Sequence, residues 1–124
     1  MSTRILVEFE RACINLFTIA RVERKDGTLV DITGRKYRMK VYAPQTSETF
    51  CEAVGEVTCE KSGDTVTTAK VEFTFPPEAT IGKTFQEAEY AVYEWLSDSD
   101  GPYPKMSGLL TMKLWPDGVQ AVPG

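Results

Sequence analysis

From residue 36 to residue 42 the chain reads Lys-Tyr-Arg-Met-Lys-Val-Tyr, charged and apolar side chains alternating without a slip. Period two is the repeat of a β-strand, so Tyr37, Met39 and Val41 are expected on a buried face and Lys36, Arg38 and Lys40 in water. A Lys25-Asp26-Gly27 turn, a short apolar piece at 29–32 and a Thr33-Gly34 break lead into it. The same grammar recurs along the chain. Ile5, Val7 and Phe9 alternate with Leu6, Glu8 and Glu10. Between 14 and 23, Ile14, Leu16, Phe17, Ile19, Ala20 and Val22 are apolar, and the parity changes at Leu16-Phe17. That change predicts a bulge or a strand buried on both faces. Residues 50–61 read as one segment, closed by a Ser62-Gly63-Asp64 turn. Residues 65–75 set Ala69, Val71, Phe73 and Phe75 against Lys70, Glu72 and Thr74, and Pro76-Pro77 ends the run.

Residues 78–87 are weakly patterned and leave room for a helical turn at Glu78-Ala79 or over 85–90. From 88 to 96 both parities are apolar, with Tyr90, Val92 and Leu96 on one and Ala91, Tyr93 and Trp95 on the other. A strand central to a sheet, or one covered by a partner, has that composition. A turn at 97–102 follows, a strand returns over 109–115, and 119–122 adds a last edge strand. Seven to nine short strands without an amphipathic helix define an all-β chain. Two antiparallel sheets packed face to face, an immunoglobulin-like β-sandwich, are the economical solution; a jelly roll or small closed barrel satisfies the same parity. With 124 residues the chain is a single domain over 1–124, burying roughly two-thirds of its unfolded surface.

Charge and cysteines adjust this picture only slightly. Fourteen basic and 18 acidic side chains leave a net charge of −4, which argues against nucleic acid as the main partner. The basic stretch Arg35, Lys36, Arg38 and Lys40 reads as the wet side of a strand or as a guard against edge pairing. No apolar run approaches the ~20 residues that span a bilayer, so no membrane partner is expected. Met1-Ser2-Thr3-Arg4 leads straight into a strand-like segment, and no signal peptide is expected. Cys13, Cys51 and Cys59 lack metal spacing and scaffold density. They read as small core thiols of a protein made in the cytoplasm, with a Cys51–Cys59 bridge as the alternative.

The sequence offers little chemistry. There is no histidine, which removes the commonest general base and the usual Ser-His and Cys-His pairs. Cys13 has Arg11 nearby, but packing is the plainer role. Asp98-Ser99-Asp100-Gly101 lacks the twelve-residue register and closing glutamate of a calcium loop. Gly82-Lys83-Thr84 has the ending of a phosphate loop, but Glu78 stands where the upstream glycine belongs. The pairs Glu8/Glu10 and Glu87/Glu89 read as solvated faces. The sequence therefore assigns no catalytic, metal or cofactor-binding residue. Aromatic side chains carry the remaining signal, because Tyr and Trp concentrate at protein interfaces. Since a sandwich has only two inner faces, the outer parity of 88–96 wants a partner. Tyr93, Trp95, Tyr103 and Trp115 are the expected contact residues, and a sugar-stacking platform built from the same aromatics is the competing use.

The order Asp26-Gly27-x-x-x-Asp31-Ile32-Thr33-Gly34, followed by the Tyr37-x-Met39-x-Val41 strand, resembles the amino-terminal domain of tailed-phage baseplate upper proteins and related small phage head or tail proteins. Gly55-Glu56-Val57-Thr58, the Ser62–Thr68 turn and strand, and Tyr90–Leu96 running through Asp98–Gly101 to Gly108–Met112 follow in that family's order. The similarity spans about residues 15 to 115. Glu10-Arg11-Ala12-Cys13 departs from it, where the family often has an Arg-Gly-Asp-like turn, and no long fibre or coiled-coil extension follows. The resemblance implies a non-enzymatic structural or adaptor subunit of a virion, at the tail, baseplate or head–tail region. It also implies other virion proteins as partners, a homo-oligomeric or ring assembly, and manufacture in the host cytoplasm. A carbohydrate- or host-surface-binding module on the same fold is the alternative.

Overall fold

The computed structural model describes residues 6–116, which form eight β-strands and one short 3-10 turn. In chain order the strands are β1 (Val7–Glu10), β2 (Asn15–Ile19), β3 (Lys36–Tyr42), β4 (Thr49–Val54), β5 (Glu56–Ser62), β6 (Thr65–Phe75), β7 (Glu87–Trp95) and β8 (Tyr103–Lys113). One sheet has the order β1-β8-β7-β3-β4 and the other β2-β6-β5. Every pairing is antiparallel except that of β1 with β8, which is parallel. The chain changes sheet between β1 and β2, β2 and β3, β4 and β5, and β6 and β7, which gives the immunoglobulin-like sandwich its connectivity.

The alternation in β3 is realised residue by residue. Tyr37, Met39 and Val41 are buried, while Lys36, Arg38 and Lys40 face out. Ala69, Val71, Phe73 and Phe75 of β6 answer them from the opposite sheet, each essentially inaccessible. Rings bind the two layers together: Phe9 packs on Phe75 at 4.8 Å and Phe17 on Tyr90 at 5.5 Å between centroids. Each such side chain contributes about 1.5–3 kcal/mol by leaving water. The bi-apolar stretch 88–96 proves to be the middle strand of the five-stranded sheet, hydrogen-bonded on both edges.

Several segments differ from their sequence reading. Over 14–23 only Asn15–Ile19 is strand, and it is regular; Asn15, Phe17 and Ile19 point inward while Ile14 and Leu16 stay exposed. An edge strand needs only one apolar face, so neither a bulge nor double burial occurs. The apolar piece 29–32 is not a strand in the sandwich. Leu29 makes a lone bridge to Glu23 across the Gly27 turn, and Ile32 is a fully buried plug. The segment 50–61 is two strands in different sheets, divided at Gly55. Strand β8 begins at Tyr103, earlier than the apolar pattern suggests, because Pro104 and Lys105 sit where its register shifts against β7. The helical turn at 78–79 is a 3-10 turn, Pro77–Ala79. All three cysteines are free, which sets the bridge aside; Cys51 is a core thiol and Cys59 packs partly buried against the core, while Cys13 lies outside it, and burial pushes the Cys51 thiol up to about 11. Ile5 and the expected strand at 119–122 lie outside the described residues.

Strand β1 makes no hairpin with β2. Residues 11–14 carry the chain between sheets, with buried Ala12 in a left-handed conformation at φ 63°. Its N–H donates to Thr80 Oγ1 at 2.8 Å. The Asn15 side chain accepts from the Glu10 N–H and donates back to the Glu10 carbonyl. Side-chain bonds replace the strand ladder at this corner and offset the cost of burying Asn15 and Thr80.

Candidate functional site

The outer face of the five-stranded sheet is where the two sequence signals, the basic strand and the aromatic strand, meet. Register places Trp95 beside Lys36, Tyr93 beside Arg38 and Ala91 beside Lys40. On the far side of β3, Arg38 pairs with Val54 and Lys40 with Glu52. Tyr93 and Trp95 are half-buried, and Val54 is 65 % exposed. Shallow depressions run along this end of the face, one lined by Lys36, Arg38, Val54, Trp95 and Asp98, the next by Arg38, Lys40, Glu52, Tyr93 and Pro102. The turn after β7 folds back onto the indole: a Cβ at Gly101 would lie 2.7 Å from Trp95 Cδ1, so only glycine permits that approach.

Charge on the face is partitioned along the strands. At the aromatic end Lys36 Nζ lies 2.6 Å from Asp98 and Arg38 2.8 Å from Glu52, with Lys40 at 3.9 Å from the same carboxylate. The Lys36 bond and charge hold Asp98 below the usual carboxylate range. These pairs are open to water and contribute little to stability. They order the side chains more than they stabilise the fold. At the other end Glu87 and Glu89 of β7 stand beside Thr111 and Leu109 of β8, and Glu8 of β1 flanks Thr111. Leu109 is 49 % exposed there, and Tyr42 donates to Glu89 at 3.1 Å.

The four aromatics expected at a contact surface do not form one patch. Tyr93 and Trp95 share the face. Tyr103 lies at the sheet end beside Trp95, paired in register with Glu94, and donates to Asp100 at 2.5 Å. Trp115 lies past the opposite end of β8. There its indole N–H donates to Glu10 at 3.1 Å, and Lys113 Nζ sits 4.1 Å above the ring. Ten residues of extended strand, about 33 Å, separate the two ends. The calcium-like turn uses its carboxylates internally, Asp98 on Lys36 and Asp100 on Tyr103. Of the basic stretch, Arg35 turns away from the face to the sandwich interior.

There it meets a group the sequence analysis passed over. Glu94 shares the inward parity of Tyr90 and Val92, and its side chain is only 2 % exposed. The Tyr37 hydroxyl and Arg35 Nη1, the latter at 3.3 Å, donate to Oε2. Lys105 Nζ lies 3.2 Å from Oε1 but off the line of a hydrogen bond. Burial alone raises the Glu94 pKa; Tyr37, Lys105 and Arg35 outweigh it and hold the carboxylate below its ordinary value. Burial and the adjacent carboxylate push the Tyr37 hydroxyl up. The cluster closes one end of the sandwich, under a cleft walled by Ile19, Val22, Val30 and Met106. The alternation itself was the missed signal, since a glutamate in step with buried residues requires nearby cations.

No protein-family model matches the chain, and no curated protein is significantly similar to it.

Proposed function

We propose that this protein is a non-enzymatic structural or adaptor subunit of a tailed-phage virion, which works by holding neighbouring proteins through the outer face of its five-stranded sheet. The observation that carries the contact reading is the pairing of half-buried Tyr93 and Trp95 with strongly exposed Val54 and Leu109 on a face that no other described strand covers. Apolar side chains on a sheet face gain free energy only when something shields them. Ion pairs at the rim add orientation and specificity rather than affinity. The phage setting rests on the resemblance in the order of turns and strands. Chemistry plays no part in this reading: the face offers aromatic area and fixed charge, and Glu94 is occupied in holding the fold together.

The same aromatic pair, with Arg38, Lys40 and Glu52 around a shallow depression, is also what a sugar-stacking platform would use. Two measurements separate these readings. Quantitative proteomics of tailed particles that encode the chain should recover it at a fixed, symmetry-related copy number; absence from particles would contradict the structural role. On a glycan array the wild type should give no signal above that of Trp95→Ala. Binding that disappears in that variant would favour the carbohydrate module instead.

A further inference from the structure

Building on the contact reading of the outer sheet face, we infer that its occupant is a second copy of this chain, packed face to face about a two-fold axis that crosses the strands near Ala91. The argument is the layout of charge along the strands. Toward one end the face carries Lys36 and Arg38 against Asp98, an excess of cations, with Lys40 and Glu52 in the middle row. Toward the other it carries Glu8, Glu10, Glu87 and Glu89 against Lys113, an excess of carboxylates. A surface with opposite signs at its two ends is self-complementary under an axis that exchanges those ends, and a two-fold contact uses one patch on both partners.

The residue rows fit such an axis. The central row runs Ser107, Ala91, Lys40 and Glu52: the first two are small enough to let two sheets approach, and Lys40 stands beside the opposite charge of Glu52. One row outward, Tyr93 and Arg38 of one copy meet the row of Leu109 and Glu89 of the other. The next row sets Trp95 and Lys36 against Glu87, Thr111 and Glu8. Along β7, Tyr93 thus falls on Glu89 and Trp95 on Glu87, and Arg38 and Lys36 lie one strand away from those carboxylates. Size agrees as well. The residues of the five strands, each covering about 3.3 by 4.8 Å, make a face of roughly 600 Å². Stable interfaces bury about 600–1,000 Å² per partner. Charges opposed across the contact speed encounter and reject other registers.

Light scattering coupled to size exclusion tests this on the intact chain. At low salt and high concentration the mass should be twice 13.8 kDa, falling toward the monomer as salt rises. Reversing the basic end (Lys36→Glu with Arg38→Glu) should give a monomer. So should reversing the acidic end (Glu87→Lys with Glu89→Lys). These side chains lie on the outer face, with Lys36 and Glu87 exposed and Arg38 and Glu89 half-buried, and leave the core intact. The diagnostic result is the mixture: one variant carries an excess of carboxylates at both ends of its face and the other an excess of cations at both, so together they should restore a dimer containing one of each. A wild type that stays monomeric, or variants that dimerise alone as well as the wild type, would overturn the inference. A monomer that is still recovered from particles would sink the second-copy inference alone. A dimer absent from particles would sink the virion reading alone.

Discussion

Replacing Gly55 with alanine is expected to destabilise the protein by about 2 kcal/mol and to lower Tm by roughly 8 °C for a domain of this size. Gly55 is the whole connection between β4 and β5, the point where the chain leaves one sheet and enters the other. Its N–H donates to the Tyr37 carbonyl at 2.8 Å, which pins it against the inner face. A Cβ there would stand 2.6 Å from Val71 Cγ1 and 3.0 Å from both Phe73 Cε1 and Tyr37 Cβ. All three neighbours are core residues in a close-packed interior and cannot move away cheaply. Because the tightest overlap is with one methyl, the cost should be coupled to it. Gly55→Ala combined with Val71→Ala should lose less stability than the two single changes summed. Thermal unfolding of the four proteins measures this; strict additivity, or an unchanged Tm for Gly55→Ala, would show that the crossover has slack.

Glu94→Ala should cost about 3 kcal/mol, read as a lower urea midpoint at unchanged slope. That is the low end for breaking a buried ion pair, because Arg35 and Lys105 are partly exposed and can turn toward water. The same carboxylate gives stability a defined pH dependence. Its pKa in the folded protein lies below its ordinary value, mainly because burial is outweighed by the Tyr37 bond and the Lys105 and Arg35 charges. Between the two values the unfolded chain binds a proton that the native state does not. This contribution is therefore fully present above the ordinary glutamate range and is lost as pH falls through that range toward the lower folded pKa. Glu94→Gln keeps the shape and removes the titration, so its stability should fall less steeply with acid than that of the wild type. Parallel acid limbs for the two proteins would show that other carboxylates dominate.

These two positions also show what could be read from the chain and what could not. The clean alternation of 36–42 located β3, its buried face and its wet face, because one side of that strand is core and the other solvent. The doubly apolar 88–96 revealed a central strand for the same reason. Gly55 was invisible as a boundary: Cys51, Ala53, Gly55, Val57 and Cys59 keep one parity throughout, since the strand direction continues while its hydrogen-bonding partners change. The parallel docking of β1 on β8 is a long-range pairing that no local pattern encodes. Glu94 was overlooked because alternation was read for apolar residues alone; its partners Arg35 and Lys105 come from distant strand ends. As for the site, Tyr93 and Trp95 share the face that the sequence suggested for a partner. Tyr103 and Trp115 are aromatic in the same way but belong to opposite ends of β8, and composition carries no distance.

The claim that the outer sheet face works by contact with protein is tested most directly by oxidative footprinting of the two tryptophans, in assembled particles and in the isolated chain at low concentration. Trp95 should be labelled in the isolated chain and strongly protected in the particle, with Tyr93 following it. Equal labelling of Trp95 in both states would contradict the account.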